Sequence, residues 1–425
     1  MRSKGILAAV VGGALVLGTA AVLNFRQEAP GPDREGGTVR ASPAPSIQIS
    51  PSRVDYVRLD LRISELMRHP DMVGVAVGTI EGGQVRFLRG YGEVLANSGV
   101  PVTPDTVFRW ASLSKGVASS LIVKLAGDGV LTLDTPVANF STTLSLPGGV
   151  QNVTVADLLS HRVGLVRNAW DGRLEAGEDP RFLRAGLGTL PAFCPPATCY
   201  TYQNIAYDTA SEIVEGVTRR PYADVAREVL FAPLGMTTAS IGRRGLTGSA
   251  SWARPHRRGR IPTIVKENYY RVPAAGGVNS SIKDLTRWAQ AQMGRAPKVL
   301  TGEMLDRLHR PRVATPPRGR RGRMDRALEN AAYGLGWRSF TYAGHPLVGH
   351  RGSVDGYGSL ILFDPAEQSG IVMLWNSNQS IPARLQLEFL DMLYGLPPTD
   401  WLELEAPPVN ATEAATDVPA LDPVP

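Results

Sequence analysis

Alternating apolar residues mark both ends of a long central part of the chain. Met72–Ile80 and Gln84–Val94 are β-type segments, and residues 81–83 between them favour a short hairpin turn. Ser359–Asp364 and Gly370–Asn376 form a second such pair near the other end. Several segments between the pairs carry apolar residues at i, i+3 and i+4, the helical period. The pattern predicts an α/β (α+β) fold: an antiparallel sheet built from both chain ends, flanked by helices, with a mostly helical region inserted in the middle.

The N-terminus carries an uncharged apolar run from Ile6 to Leu23, preceded by Arg2 and Lys4. A run of this length after basic residues is typical of an export signal or of a membrane anchor. We therefore predict that residues 1–26 are a signal peptide or an N-terminal membrane anchor. The protein is expected to be exported, periplasmic or extracellular, and an uncleaved run would tether it to the cytoplasmic membrane.

Composition separates this leader from the folded part of the chain. Residues 27–53 are rich in Pro and Gly without apolar periodicity, which predicts a flexible linker. Residues 398–425 are rich in Pro, Ala and acidic residues, which predicts a disordered tail. The folded domain is therefore predicted at residues 54–397, a length that can bury a substantial core.

The positive charge of the chain is concentrated in one segment. The formal net charge is +6, but Arg307–Arg326 holds eight arginines and one aspartate, a net +7, which leaves −1 for all other residues. We predict a solvated surface loop there and no nucleic-acid partner. Contact of this loop with anionic lipid or cell-wall polymer is the alternative.

Cys194 and Cys199 are the two cysteines of the chain. In an exported protein this short spacing favours a small-loop disulfide over a zinc site, because no nearby histidine supplies the missing ligands. The histidines show no paired spacing of the kind that binds metal. We therefore predict no metal and no cofactor.

The segment SLSK at residues 112–115 follows an extended stretch and opens a predicted helix. One helical turn places the Lys115 amine over the Ser112 hydroxyl. A serine becomes a good nucleophile when a base takes its proton, and a lysine serves as that base only if its pKa is lowered. Residues 280–283 have the same Ser-x-x-Lys spacing, but there the sequence predicts a helix cap followed by an amphipathic helix.

Three short motifs occur in order along the chain: SLSK at residues 112–115, YQN at residues 202–204 and HRG at residues 350–352. Together they resemble the serine β-lactamase and penicillin-binding-protein superfamily, in particular its class C-like branch, which also contains D,D-peptidases and esterases. The resemblance covers nearly all of residues 54–397. It implies a β-lactamase/D,D-peptidase-like fold.

The resemblance also implies roles for single residues. Ser112 would attack a carbonyl to form an acyl-enzyme, with Lys115 and Tyr202 sharing the proton transfers. Asn204 would hold Lys115 and the substrate amide by hydrogen bonds. By the same resemblance His161 is expected to be a hydrogen-bonded scaffold residue.

The third motif is expected to line the opposite wall of the site. His350 would stabilise negative charge or relay a proton, and the backbone N–H groups of Ser112 and Ser353 would form the oxyanion hole. Arg351 and Gly352 are the expected substrate-binding residues of this strand. Arg351 either binds a substrate carboxylate or lies on the outer face of the strand, and strand alternation favours the outer face.

The function predicted from these residues is an exported serine hydrolase that forms an acyl-enzyme on Ser112. Its substrate, a small molecule or a peptide, would be a β-lactam, a D-Ala-D-Ala-type peptide or a small ester. His350 and Arg351 stand where true β-lactamases of the family have Lys and Thr, so the substrate stays open. The alternative is a catalytically degenerate module that binds penicillin or peptidoglycan.

Overall fold

The computed structural model describes residues 51–315 and 322–404. The predicted leader, residues 27–50 of the predicted linker and residues 405–425 of the predicted tail lie outside the described residues. Of the helices within the two described ranges, none combines the length and the apolar character needed to cross a bilayer.

Short helices make up most of the region between the first and the last strands. The α-helices of the described residues are α1 (Tyr56–Leu66), α2 (Ser114–Gly127), α3 (Val155–Leu159), α4 (Asp171–Glu175), α5 (Pro180–Gly186), α6 (Thr209–Thr218), α7 (Tyr222–Ala226), α8 (Arg243–Thr247), α9 (Pro273–Gly276), α10 (Ile282–Gln290), α11 (Gly302–His309), α12 (Arg323–Ala327) and α13 (Leu385–Tyr394). The helical middle predicted from the apolar spacing is therefore confirmed.

The strands form one large antiparallel sheet and two small ones. The strands of the described residues are β1 (Gly74–Glu81), β2 (Gln84–Gly92), β3 (Val107–Arg109), β4 (Ser240–Ile241), β5 (His256–Arg257), β6 (Ile261–Pro262), β7 (Val278–Ser281), β8 (Val313–Ala314), β9 (Glu329–Tyr333), β10 (Arg338–Tyr342), β11 (His345–Val354), β12 (Tyr357–Asp364) and β13 (Ser369–Trp375). The large sheet has the order β2-β1-β13-β12-β11-β10-β9-β8. Strand β1 pairs with β13, so the sheet built from both chain ends is confirmed.

Both faces of the large sheet are covered, which explains why its central strands are continuously apolar. Along β12, Ile361 and Phe363 contribute to the core shared with the helical middle. Leu360 and Leu362 alternate with them and contribute to a second core under α1 and α13. On β11, Val348 belongs to the first core and Leu347 to the second. His350 therefore points toward the helical middle, and its neighbour in the chain points to the opposite face.

The folded part extends further toward the C-terminus than the composition predicts. Trp401 and Leu402 are buried in the second core. The carboxylate of Glu388 accepts the N–H groups of both residues at 3.1 Å, and Asp391 accepts the Trp401 indole N–H at 2.8 Å. Packed residues thus continue past the predicted domain end at residue 397, and these two anchors lie within an otherwise Pro-rich stretch.

The arginine-rich segment is not the single surface loop that the charge pattern predicts. Arg307 lies in α11. Arg312, just before β8, donates its backbone N–H to the Tyr333 carbonyl at 2.9 Å. The segment then contributes β8 to the edge of the large sheet and α12 beyond it. Residues 316–321 lie outside the described residues.

Candidate active site

Ser112 lies in a single turn of 3₁₀-helix, Ala111–Leu113, between β3 and α2. Ala111 has φ of +49°, a left-handed conformation that costs free energy for a residue with a side chain. The turn is held by Ser114, whose hydroxyl donates to the Ala111 carbonyl at 2.6 Å and accepts from the Val278 N–H at 3.0 Å. Ser112 itself is half-buried and lines a cavity of about 830 Å³.

Lys115 is fully buried below this turn. Its Nζ donates to Asn204 Oδ1 at 2.7 Å and to the Ala275 carbonyl at 3.1 Å, and it lies 3.5 Å from Ser112 Oγ. Burial lowers the pKa of Lys115 from 10.5 to about 7, although two aspartates in the vicinity act to raise it. The amine is therefore poised to exchange a proton near neutral pH.

The second Ser-x-x-Lys segment is structural. The side chain of Ser281 caps α10, and Ser280 accepts a hydrogen bond from the Trp110 indole at 2.9 Å. Lys283 forms an ion pair with Asp105 at 2.7 Å near the surface. Identical spacing therefore gives two different environments for the lysine.

Two aspartates that sequence reasoning missed fix the partners of Lys115. Asp171 accepts from Asn204 Nδ2 at 2.7 Å, which leaves the amide oxygen of Asn204 facing the lysine. Asp208 accepts from the Ala274 N–H at 2.9 Å and thereby holds the segment that contains the Ala275 carbonyl. These aspartates lie 56 and 93 residues after Lys115 in the chain, so no local motif could reveal them.

Asp208 is itself held by a buried arginine. Arg184 Nη1 donates to Asp208 at 2.7 Å, and Nη2 donates to Glu212 at 2.8 Å. Burial raises the pKa of the Asp208 carboxyl, while contact with Arg184 acts to lower it. Removal of Arg184 would leave Asp208 buried without its ion-pair partner, whereas removal of Asp208 would leave Arg184 still paired with Glu212.

Tyr202 lies beside Lys115, with the lysine Nζ 4.6 Å from the centre of its ring. Burial raises the pKa of Tyr202 to about 12, even though hydrogen bonding with Ser112 lowers it. The phenol is therefore protonated at neutral pH. The structure thus brings together Ser112, Lys115, Tyr202 and Asn204.

His161 fixes the backbone on both sides of Tyr202. Its carbonyl accepts the Thr201 N–H at 2.9 Å and its Nδ1 accepts the Gln203 N–H at 3.1 Å. Its ring packs 4.4 Å from the Tyr202 ring and 4.8 Å from the Tyr333 ring, measured between centroids. Burial, reinforced by nearby cations, holds the pKa of His161 well below its usual value. The expected scaffold residue is thus in direct contact with Tyr202.

His350 lies on the opposite wall as a buried, neutral ring. Its Nδ1 lies 2.8 Å from the Arg351 carbonyl, and its Nε2 lies 3.1 Å from Tyr333 Oη. A carbonyl accepts only, so Nδ1 carries the proton and Nε2 accepts from Tyr333. Burial and the charges of Arg338 and Lys115 hold the pKa of His350 well below its usual value. A charged His350 is therefore not supported at neutral pH.

Arg351 lies on the other face of β11, as strand alternation predicts. Its guanidinium forms an ion pair with Asp325 of α12 at 2.8 Å. Gly352 packs tightly against the Ala111–Leu113 turn. A Cβ at this position would lie 3.0 Å from Ser112 N and 2.5 Å from the Trp110 carbonyl oxygen. Ser353, the next residue along β11, also lines the cavity.

A half-buried arginine, Arg338, that sequence reasoning missed adds positive charge to the cavity wall. Arg338 donates to Tyr200 Oη at 3.0 Å, and its guanidinium lies 6.0 Å from the centre of the Tyr202 ring. Among the described residues, no carboxylate forms an ion pair with Arg338. Arg167, which is exposed, lines the same cavity. Both cations act to attract an anionic group.

A disulfide joins Cys194 and Cys199 just before Tyr202. Backbone hydrogen bonds dock this loop on residues 162–164, including Ala197 N–H to the Arg162 carbonyl at 2.9 Å. The loop and the His161 segment therefore form one support for Tyr202. In the described part of the chain, no group of three or more His, Cys, Asp or Glu side chains has the arrangement needed to hold a metal ion.

A protein-family model described as Beta-lactamase matches residues 59–395. An unguisins hydrolase of Aspergillus campestris is 28% identical over 326 residues, covering 72% of this chain and 59% of that protein. Protein flp of Staphylococcus aureus is 25% identical over 336 residues, covering 77% of this chain and 64% of that protein. The chain thus spans about three fifths of the length of these curated relatives.

Two solved structures share the fold. The octameric penicillin-binding protein homologue of Pyrococcus abyssi has a TM-score of 0.71 at 25% identity, covering 81% of this chain and 78% of that one. The D-alanine carboxypeptidase AmpC of Burkholderia cenocepacia has a TM-score of 0.63 at 22% identity, covering 80% and 99%. The second likeness is one of fold alone.

We predict that His161→Phe slows the reaction of Ser112 with a fluorophosphonate probe by about 100-fold, because a small misplacement of a reacting group has that cost. His161→Asn should recover most of the rate, since its side-chain oxygen can replace Nδ1 and asparagine tolerates the φ of +59° at this position. The measurement is the probe-labelling rate beside the melting temperature.

His69→Phe is the matched control, because His69 Nδ1 also accepts a backbone N–H, from Asp71 at 3.2 Å, on another part of the surface. It should label at the wild-type rate. Equal losses in His161→Asn and His161→Phe, or losses that merely follow the melting temperature, would show that His161 serves stability alone.

Proposed function

The chain belongs to the beta-lactamase family, and on that basis we propose that it is a serine hydrolase that forms an acyl-enzyme on Ser112 and cleaves an amide or ester bond. The observation that carries this proposal is the fully buried Lys115 amine 3.5 Å from Ser112 Oγ, with its pKa lowered to about 7. A lysine with an ordinary pKa would be protonated and could not accept the serine proton.

The neighbours of Lys115 also orient its lone pair. A neutral amine has two N–H donors, and two oxygens, from Asn204 and Ala275, lie within hydrogen-bond distance to accept them. Ser112 Oγ is the third polar neighbour, so the lone pair is directed to the serine hydroxyl. As Ser112 attacks the carbonyl carbon, its proton passes to Lys115.

Tyr202 supplies the proton that the leaving group needs. Its pKa of about 12 keeps it protonated, and its ring lies beside the Lys115 amine, in the wall of the cavity that Ser112 also lines. When the bond to the leaving group breaks, the Tyr202 proton passes to the leaving nitrogen or oxygen, and Lys115 returns a proton to Tyr202. A water molecule then attacks the ester on Ser112 and gives a proton to the same pair, which returns it to Ser112 Oγ as the bond to the acyl group breaks and the acid product forms.

The backbone N–H groups of Ser112 and Ser353 are proposed to stabilise the oxyanion. The close approach at Gly352 supports this arrangement, because it sets β11 directly against the nucleophile turn. His350 contributes by shape and orientation instead of charge, since Tyr333 and its own strand hold it as a neutral ring.

The charge of the cavity favours a substrate with a carboxylate. Lys115, Tyr202 and His350 are uncharged in the reactive state, whereas Arg338 keeps its charge beside Tyr202. A half-buried cation without a carboxylate partner in the protein attracts an anionic group of a ligand. This charge supports a β-lactam or a peptide with a free carboxylate, over a neutral ester, as the substrate.

We predict that a fluorescent penicillin or a fluorophosphonate probe labels the native protein on Ser112. Labelling should be lost in Ser112→Ala and should slow by at least about 100-fold in Lys115→Met, the usual effect of losing a general base. Lys283→Met, in the second Ser-x-x-Lys segment, is the matched control and should label normally. Adduct formation is read by mass spectrometry.

Reversible penicillin binding without an adduct would favour the alternative, a degenerate binding module. Equal labelling of Ser112→Ala and the native protein would contradict the proposal outright. A panel of nitrocefin, a D-Ala-D-Ala peptide and a neutral p-nitrophenyl ester then ranks the substrates, and the charge argument expects the two anionic ones to react faster.

We further propose that the protein is exported. The apolar run from Ile6 to Leu23, which lies outside the described residues, and the disulfide between Cys194 and Cys199 support this, because disulfides persist in oxidising compartments. A C-terminal alkaline phosphatase fusion should be active in a bacterial host and inactive after deletion of residues 6–23. Equal activity of both fusions would contradict export by this run.

A further inference from the structure

The cavity at Ser112 is lined from both faces of the large sheet. Ser112, Tyr202 and His350 line it on the side of the helical middle. Trp375 and Ala383 also line it, yet both belong to the core on the opposite side, under α1 and α13. The cavity therefore continues past the edge of a strand to the other face of the sheet.

The pairing of β10 with β11 explains where the cavity passes. Strand β10 pairs with β11 from Tyr342, opposite His345, only as far as Arg338, opposite Gly349. From His350 onward, no described residue pairs with that edge of β11. The gap allows one cavity to reach the nucleophile on one face and the second core on the other.

We define the far lobe as the part of the cavity lined by Leu328, Phe340, Trp375 and Ala383. Leu328, Trp375 and Ala383 are buried, and Phe340 packs against the same core. The indole of Trp375 lies over Gly358, where a Cβ would come within 1.9 Å of the ring, and its N–H donates to the Gln379 carbonyl at 2.8 Å. The polar edge of the ring is therefore satisfied by the protein.

Charge in the far lobe is neutralised by the protein itself. The guanidinium of Arg351 forms an ion pair with Asp325 at 2.8 Å. Arg351 lies between His350 and Gly352 in the chain. The far lobe thus offers apolar surface beyond an internal ion pair. This contrasts with the near part, where Arg338 has no carboxylate partner among the described residues.

We propose that the far lobe binds an uncharged apolar group, alkyl or aryl, of the same substrate whose carbonyl Ser112 attacks. This rests on the proposed function. The cavity of about 830 Å³ is of the size that holds a drug-sized ligand, so a small acyl donor leaves much of it unfilled. Apolar surface next to a reacting group selects substrates that cover it. The enzyme is therefore specific for elongated substrates, anionic near Tyr202 and apolar beyond β11.

The test compares esters of increasing length in two series. One series lengthens the acyl chain of p-nitrophenyl esters from two to twelve carbons, and the other lengthens the alcohol of acetate esters over the same range. In one series, kcat/KM should rise by about tenfold or more between two and eight carbons, because each buried methylene favours binding. The series that responds identifies which side of the scissile bond enters the far lobe.

Two variants locate the effect. Ala383→Trp fills the far lobe and should reduce the long-to-short ratio of kcat/KM to near one, whereas Phe340→Ala enlarges it and should move the optimum to longer or bulkier groups. Leu61→Trp, on the exposed surface of α1, is the control and should keep the wild-type ratio. A flat response in both series, or the same ratio in wild type and both lobe variants, would overturn the proposal.

Binding to Ser112→Ala separates this inference from the proposed function. Calorimetry with decanoate should show binding that is lost when Ala383→Trp is added. If neither the penicillin nor the fluorophosphonate probe labels Ser112 in the native protein but this binding is seen and lost as stated, the far lobe stands and the acyl-enzyme proposal fails. If esters are hydrolysed through Ser112 without a length effect and decanoate does not bind, the far lobe fails alone.

Discussion

Burial of the Lys115 amine is the constraint on which the site depends. An ammonium group in this position would have lost its water without gaining a carboxylate contact, so burial favours the neutral form. The neutral form still needs acceptors for its N–H groups, and Asn204 and Ala275 provide them. Two buried aspartates, Asp171 and Asp208, then hold these acceptors in place. The carboxylates therefore contact the partners of the lysine and not the lysine itself.

Burial also fixes the protonation state of the side chains that line the site. Tyr202 is kept protonated by burial and is positioned by the His161 segment, and His350 is kept neutral and positioned by Tyr333. Neutral groups around the nucleophile leave Arg338 as the dominant charge. The β10–β11 pairing ends at Arg338 opposite Gly349, which leaves the edge of β11 from His350 onward without a described partner and opens the far lobe.

Much of the fold could be predicted from the sequence because it is encoded in local patterns. Alternation and helical spacing identify the outer strands and the helical middle, and SLSK at a helix start places Lys115 over Ser112. The supporting groups could not be predicted in this way: Asp171, Arg184, Asp208 and Arg338 reach the site from distant segments with no shared spacing. Composition did not reveal the burial of Trp401 and Leu402, since two apolar residues are few against a Pro-rich background.

The pH dependence of Ser112 acylation tests most directly whether Lys115 is the base. A base with its pKa lowered to about 7 is protonated and inactive below that value and free above it, while the pKa of Tyr202, about 12, keeps its proton in place. The account predicts that the acylation rate rises about tenfold per pH unit below pH 7 and is level from about pH 8 to 10. A rate that continues to rise to pH 10, as for a lysine of ordinary pKa, or one that is equal at pH 5 and pH 8, would contradict it.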